Sequence, residues 1–348
     1  MNTDLIEAQK RHLSEKLSGK TIMVSGSTGL IGSSVVRYLL GLNDNCNANV
    51  TVVALHRNEA KAISLYPEER DDLLFLACSD EGLIQGDVQI DSIVHAAGIS
   101  GGTKLHLKDP VKVFETGIRG TKWLLDYAVE HGCEGFCYVS TYEIYGDASR
   151  EGSIKENDPC LLDPMVLRNS YAEVKRVCES MLTAYSAAYK LKVFSARLMS
   201  TFGAGVAYED PRFFAEFARC VIEGRNIELK SSGGTIRNYL DVDDAASAFL
   251  YILAEGETGN AYNVANMANA FSINEMANMF ASKSGEIVQV ILDENSSTKD
   301  LGYRRVGRTV IDTNKLESLG WKPAYSIENT ISKIIEDFRM KKAPSIQA

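Results

Sequence analysis

Apolar and polar positions alternate along this chain in two kinds of block. Short, β-prone and mostly apolar runs occur at Thr21–Val24, Val50–Leu55, Leu73–Ala77, Ser92–His95, Gly135–Val139 and Val193–Arg197. Their content is that of strands buried on both faces. Between them lie longer stretches with apolar residues three or four apart, which predict helices over 30–40, 111–130 and 171–189. Strands alternating with helices at this spacing predict an α/β chain with a doubly wound parallel sheet. After residue 200 the pattern loosens. Helices are predicted over 213–223, 243–253 and 273–282, with short strands between them. The expected division is an N-terminal helical extension (1–19, with an amphipathic helix over 4–17), a core domain (20–196) and a smaller mixed α/β lobe (197–348), some of whose segments return to the core. The tail Met340–Ala348 reads as frayed.

Composition narrows the function classes. The 348 residues are 45% hydrophobic and 24% charged, an ordinary globular balance. The formal net charge of −9 argues against nucleic-acid or acidic-membrane binding by bulk electrostatics. A few local arginines would still suffice for a phosphorylated ligand. The seven cysteines include no CxxC pair, and Cys133 and Cys137 have only His131 beside them and no second pair, so no metal site is expected. They read as free thiols of a reducing compartment. The first twenty residues lack a signal-peptide core, and no apolar run is long enough to span a bilayer. The expectation is a soluble, cytoplasmic protein.

Two local patterns carry chemistry. The first, GSTGLIG (26–32), lies between a strand and a helix: Gly26, Thr28, Gly29, Leu30, Ile31 and Gly32 form a loop and helix start suited to a pyrophosphate. Gly26 permits the turn, Gly29 the close backbone approach, and Gly32 close packing of the helix. The core therefore reads as a Rossmann-type NAD(P)-binding domain. The second strand ends Leu55-His56-Arg57, without the acidic residue that usually holds a ribose 2′-hydroxyl; Arg57 tilts the choice toward NADP. Asp80, after the third strand, can take the adenine amino group. The second pattern is YAEVK (171–175). Tyr171 and Lys175 share a helix face, and a lysine cation there favours the phenolate, so the phenol can move the proton of a sugar hydroxyl.

With these residues the chain resembles the extended short-chain dehydrogenases/reductases that act on nucleotide sugars, the epimerase/dehydratase group. The resemblance runs from Lys20 to about Ile335 through GSTGLIG (26–32), DSIVHAAG (91–98), VSTYEIYG (139–146), YAEVK (171–175), ARLMSTFG (196–203), RNYLDVDD (237–244) and DTNKLESLGWKP (312–323). It implies that Ala96, Ala97 and Gly98 line the cofactor, with Lys175 counted on that side too. It further implies that Thr141 hydrogen-bonds the reacting hydroxyl and that Glu143 is a catalytic carboxylate. Tyr142, Arg168, Ser200, Arg237 and Arg308 would face the substrate, Arg237 and Arg308 at its diphosphate. LDPMVLRNSYAEVKR (162–176) is most similar to UDP-glucuronate decarboxylases. Three positions depart from the pattern: Gly117 and Ser200 stand where the family usually carries Asn, and Tyr142 where it usually carries Ser or Asp.

The resemblance implies NAD or NADP, retained and recycled, and a nucleotide-diphosphate sugar oxidised at C4. Glu143 favours a lyase, a decarboxylase or 4,6-dehydratase. A 4-epimerase is the alternative, and a non-catalytic NAD(P)-sensing binding protein is an alternative of another class. A homodimer is expected through helices 111–130 and 171–189, the second bearing Val174, Val177, Met181 and Leu182.

Overall fold

The structure is a computed structural model and describes residues 1–79, 82–83, 88–98, 109–146, 152–292 and 307–342. Strand β1 (Thr21–Ser25) lies inside a sheet with β2 (Thr51–His56), β3 (Leu73–Ala77), β4 (Ser92–His95), β5 (Gly135–Thr141), β6 (Lys192–Leu198) and β10 (Asn260–Val264). The seven strands run in the order β10-β6-β5-β4-β1-β2-β3, and every pairing is parallel. Ile22 and Val24 join the core on one face, and Met23 joins the core on the other, as strand alternation requires.

Helices cover both faces. Helix α1 (Thr3–Leu17), α2 (Leu30–Cys46) and α7 (Val242–Glu255) set Leu13, Val35, Leu39 and Phe249 into the first core. Helices α4 (Pro110–Glu130) and α5 (Ser170–Tyr189) set Leu124, Leu125, Val174 and Leu182 into the second. The short α3 (Glu59–Leu65) follows β2. Beyond the sheet, α6 (Phe213–Glu223), α8 (Ile273–Ser282) and α10 (Ile327–Lys342) pack Phe214, Phe217, Phe280, Ile331 and Phe338 around Tyr239 of β9 (Ile236–Asp241). Strand β9 is flanked by β7 (Ser200–Phe202), β11 (Ala270–Ser272) and β13 (Arg308–Thr309), while β8 (Ile227–Leu229) pairs with β12 (Val290–Leu292) and the short α9 (Asn314–Glu317) precedes α10.

The chain differs from the expected elements in definite places. Helix α2 continues past residue 40 to Cys46, because Leu42 extends its buried stripe; Asn47, in the left-handed region, ends it. Helix α10 runs on to Lys342, so Met340–Lys342 of the expected frayed tail are helical. Lys341 is held there by the Val206 carbonyl and Asp337. Residues 343–348 lie outside the described residues. Among the described residues no helix is long and apolar enough to cross a membrane.

Candidate active site

The glycine loop is shaped by contacts that forbid a side chain. Gly26 has φ +68°, and a Cβ there would lie 2.8 Å from the backbone of Ala97. A Cβ on Gly32 would lie 2.2 Å from the Gly26 carbonyl oxygen. Gly32 thus lets the first turn of α2 close onto the loop itself. Gly29 is the N-cap of α2 and supplies no side-chain hydrogen bond, so the helix start, with Leu30 and Ile31, presents bare backbone N–H groups. This cradle fits a dinucleotide pyrophosphate. Thr28 is half-buried within it, and Arg57 sits exposed at the end of β2. Asp80 lies outside the described residues.

The loop after β4 is tied to the same place. Ala97 N–H donates to Ser25 Oγ at 3.1 Å, and Ser25 Oγ meets His95 Nδ1 at 2.6 Å. His95 Nε2 lies 3.0 Å from Thr121 Oγ1, which donates to the Gly117 carbonyl at 2.7 Å. The donors settle a neutral imidazole with its proton on Nε2. Burial, helped by the charge of Lys175, pushes the His95 pKa down to about 3. Ala96–Gly98 are thereby held against helix α5 (Ser170–Tyr189): a Cβ on Gly98 would be 3.6 Å from Lys175 Nζ.

Strand β5 delivers Thr141, and the chain turns at once into a 3₁₀ turn, Tyr142–Tyr145, with Thr141 Oγ1 accepting from Glu143 N–H at 3.3 Å. Helix α5 begins opposite. Lys175 Nζ donates to the Val139 carbonyl at 2.7 Å and lies 4.5 Å from the Tyr138 ring centroid and 5.9 Å from that of Tyr171. Burial lowers the Lys175 pKa to about 8. The Tyr171 phenol is raised above its ordinary range by burial and then by the charge of Glu143, while its hydrogen bond with Thr141 lowers it. In the assembled fold burial opposes the phenolate, an effect that the spacing of Tyr171 and Lys175 does not report.

Glu143 is gripped by Arg168, Nη1 to Oε2 at 2.8 Å, with both side chains about four-fifths buried. Arg237 lies over the Tyr142 ring, 5.7 Å from Cζ to centroid, and Tyr142, then Glu143, favour its charged form. The Nε atoms of Arg168 and Arg237 are both buried without a hydrogen-bond partner among the described residues. Two guanidiniums with unused donors beside a carboxylate and a phenol suit an anionic ligand. Arg237 pairs with Phe271 of β11 and Thr309 of β13, and Ser200 pairs with Tyr239, two residues further along β9. Arg308 itself is exposed and donates to the Gly152 carbonyl at 3.1 Å.

Several neighbours were not singled out from the sequence. Arg212, held by Asp210 at 2.6 Å, places a positive charge that lowers the Tyr171 pKa. His95 and Ser25 form the relay behind the cofactor loop. Of the four apolar residues proposed for α5's outer face, Val174 and Leu182 are core, Met181 packs on the core, and Val177 is 40% exposed.

Comparison with known proteins agrees with this arrangement. The profile described as "NAD dependent epimerase/dehydratase family" matches residues 22–265. A dTDP-D-glucose 4,6-dehydratase of Mus musculus is 30% identical, covering 92% of this chain and 89% of that one. UDP-glucuronic acid decarboxylase 2 of Arabidopsis thaliana is 24% identical over 94% of this chain and 70% of its own length. Among solved structures, UDP-glucose 4-epimerase of Thermotoga maritima with UDP-glucose has the same fold, with a TM-score of 0.77 at 20% identity, covering 92% of this chain and 99% of that one.

Proposed function

The chain belongs to the NAD-dependent epimerase/dehydratase family, and from that premise we propose that it is a lyase: it oxidises C4 of a nucleotide-diphosphate sugar and then breaks a bond at C5 or C6, by decarboxylation of a uronate in the first instance and by 4,6-dehydration of a hexose in the second. The observation that carries the reading is the Glu143–Arg168 pair, 2.8 Å apart, on the turn that follows Thr141. Tyr171 and Thr141 serve the hydroxyl proton, and Glu143, near enough for its charge to raise the phenol's pKa, is not needed for that transfer. It suits the step after the ketone has formed.

The dinucleotide, when bound, would supply the oxidant for C4 and the returning hydride, for C4 after decarboxylation and for C6 after loss of water. Gly26, Thr28, Gly29, Leu30, Ile31 and Gly32 would hold its pyrophosphate, Ala96–Gly98 and Lys175 its nicotinamide half, and Arg57 a 2′-phosphate. Tyr171 takes the 4-hydroxyl proton, with Thr141 hydrogen-bonding the same oxygen. To do so Tyr171 must stand as the phenolate, which Lys175, where charged, favours before the transfer. Once C4 is a ketone, the electrons of a bond at C5 can move into it. In a uronate the C5–C6 bond breaks, its electron pair forms an enolate across C4 and C5, CO₂ leaves, and C5 then takes a proton. In a hexose Glu143 removes the C5 proton and passes it to the C6 hydroxyl, which leaves as water. Arg237, Arg308 and Ser200 would bind the diphosphate, and Tyr142 and Arg168 the sugar side.

The test is conversion of a panel of UDP-, GDP-, CDP- and dTDP-sugars followed by mass. Loss of CO₂ or of water supports the lyase. A product of unchanged mass and altered retention makes it an epimerase, and NAD binding without conversion of any sugar makes it a sensing protein. Glu143→Gln separates the steps: reduced-nicotinamide absorbance should rise in a single turnover and persist. Full activity of that variant removes the support for dehydration and leaves a 4-epimerase or an unassisted decarboxylase as the better reading. Pairing of two copies through α4 and α5 is also proposed, with Val111, Phe114 and Val177 exposed on those helices; a monomer mass by light scattering at micromolar concentration overturns it.

A further inference from the structure

The reaction outlined above makes no use of Glu179, a carboxylate about 85% buried. Its Oε1 accepts from Ser140 Oγ at 2.6 Å, Ser195 Oγ at 2.7 Å and Arg197 Nε at 3.2 Å; Oε2 accepts from Arg197 Nη2 at 2.8 Å. Four hydrogen bonds to one carboxylate leave little freedom in where it sits.

Its place on helix α5 gives that fixity a use. Tyr171, Lys175 and Glu179 are successive members of an i, i+4, i+8 row and so share one face. Each reaches the end of β5. Tyr171 hydrogen-bonds Thr141, Lys175 the Val139 carbonyl, and Glu179 the Ser140 hydroxyl. Three turns of helix are thus pinned to three consecutive strand residues, and Glu179 holds the rung farthest from the reacting hydroxyl. The same carboxylate fixes Arg197, whose Nη1 donates to Tyr145 Oη at 3.0 Å and to the Glu156 carbonyl at 2.7 Å. Tyr145 donates to Asn263 Oδ1 at 2.7 Å, and Asn263 Nδ2 donates to the carbonyls of Ile154 and Asp312, each at 3.0 Å. Tyr145 closes the 3₁₀ turn that carries Glu143.

We propose that Glu179 is a positioning residue that locks the Tyr171–Lys175 row and the Glu143 turn onto the same strand end, so that oxidation at C4 and the following step at C5 share one alignment. This rests on the reading under which Glu143 acts after Tyr171. Its physical basis is that reacting groups displaced by about 1 Å lose on the order of a hundredfold in rate. The charge of Glu179 also helps to keep Lys175 protonated.

Three variants test it in the full-length protein with NAD⁺. Glu179→Gln keeps the shape and loses the charge. Ser140→Ala removes one rung and leaves the ion pair intact, which guards against misfolding of the first variant. Tyr145→Phe cuts only the branch to the Glu143 turn. Glu179→Gln should slow both the burst of reduced nicotinamide and the later step by at least about tenfold, with KM within about threefold. Ser140→Ala should slow the burst several-fold, and Tyr145→Phe only the later step. Amide hydrogen exchange without substrate should quicken at 139–145 in Glu179→Gln, while β1 and β2 are unchanged. Loss of thermal stability with kcat, burst and local exchange all as in wild type would reduce Glu179 to a structural ion pair and overturn the proposal. If wild type releases neither CO₂ nor water, the lyase reading fails by itself. The burst with whichever sugar reduces the cofactor, and the exchange experiment in any case, still decide on Glu179.

Discussion

Gly117 makes a prediction that can be worked from distances. It lies inside α4, facing α5, and a Cβ at this position would stand 2.4 Å from Cγ1 of Val174, a side chain only 3% exposed. Two effects oppose each other in Gly117→Ala. Replacing glycine in a helix interior gains about 1 kcal/mol. Forcing a methyl into a filled contact costs about 1–3 kcal/mol. The expected net loss is about 1 kcal/mol, which in a chain of this size lowers Tm by about 2 °C. Val174→Ala alone should cost about 2 kcal/mol through lost burial and the cavity left behind. In the double variant the new methyl enters the vacated space, so the helix gain survives and the clash does not. The cycle should therefore show about 2 kcal/mol of favourable coupling by denaturant unfolding. Because Val174 precedes Lys175, Gly117→Ala should also lower kcat, with recovery in the double variant. A single variant as stable as wild type, or coupling near zero, would refute the contact and with it the reason that Asn has no room here.

Gly29→Asp should abolish NAD binding by calorimetry while leaving the melting curve close to wild type, because the helix start would then present a carboxylate to the pyrophosphate; unchanged affinity removes the loop from the cofactor site. Arg57→Ala should lower the NADP/NAD affinity ratio by about tenfold, the worth of one exposed phosphate contact; an unchanged ratio leaves Arg57 a surface charge. Tyr171→Phe should cut turnover by about a hundred- to ten-thousandfold and suppress the reduced-nicotinamide signal as well. Lys175 carries its charge below its pKa of about 8 and loses it as pH rises through that value, so kcat/KM should fall on the alkaline side with a midpoint near there. For stability the sign is opposite: the folded pKa lies below the ordinary lysine value of 10.5, so the unfolded chain binds the extra proton and this group's penalty fades between about 8 and 10.5. Activity flat to about pH 10 would show that the charge on Lys175 is not used.

The sheet was readable where strands are uniformly apolar and the loop after them has a steric signature, as in β1 and its glycines. Helix α3 was missed because seven residues are too few to show a period; Asn58, accepting from Lys61 N–H at 2.9 Å, starts it. Strand β10 was missed because Asn260 and Asn263 break the apolar run, yet Asn263 is fully buried, its polar atoms taken up by Tyr145, Glu156, Ile154 and Asp312. In the site, the Tyr171–Lys175 pair was legible because one helix sets its spacing. The Glu143–Arg168 pair joins residues 25 apart through a turn, and no periodicity reports that. The effect of burial on Tyr171 was not legible, because burial depends on the assembled fold and spacing speaks only to neighbours on the helix.

Strand β10 also has a bearing on how the chain is made. The outer neighbour of β6 is a segment that leaves the ribosome roughly 60 residues later, several seconds at ordinary elongation rates. Until Asn260–Val264 arrives, the last strand of the nascent sheet has an open flank, and the apolar side chains of α7 that cover Phe194 and Ala196 are late or missing. A message truncated soon after residue 200 would therefore yield a chain with an unpaired sticky edge, prone to aggregate and a natural client for chaperones. Slow codons would be least harmful after Val264, when that flank has closed.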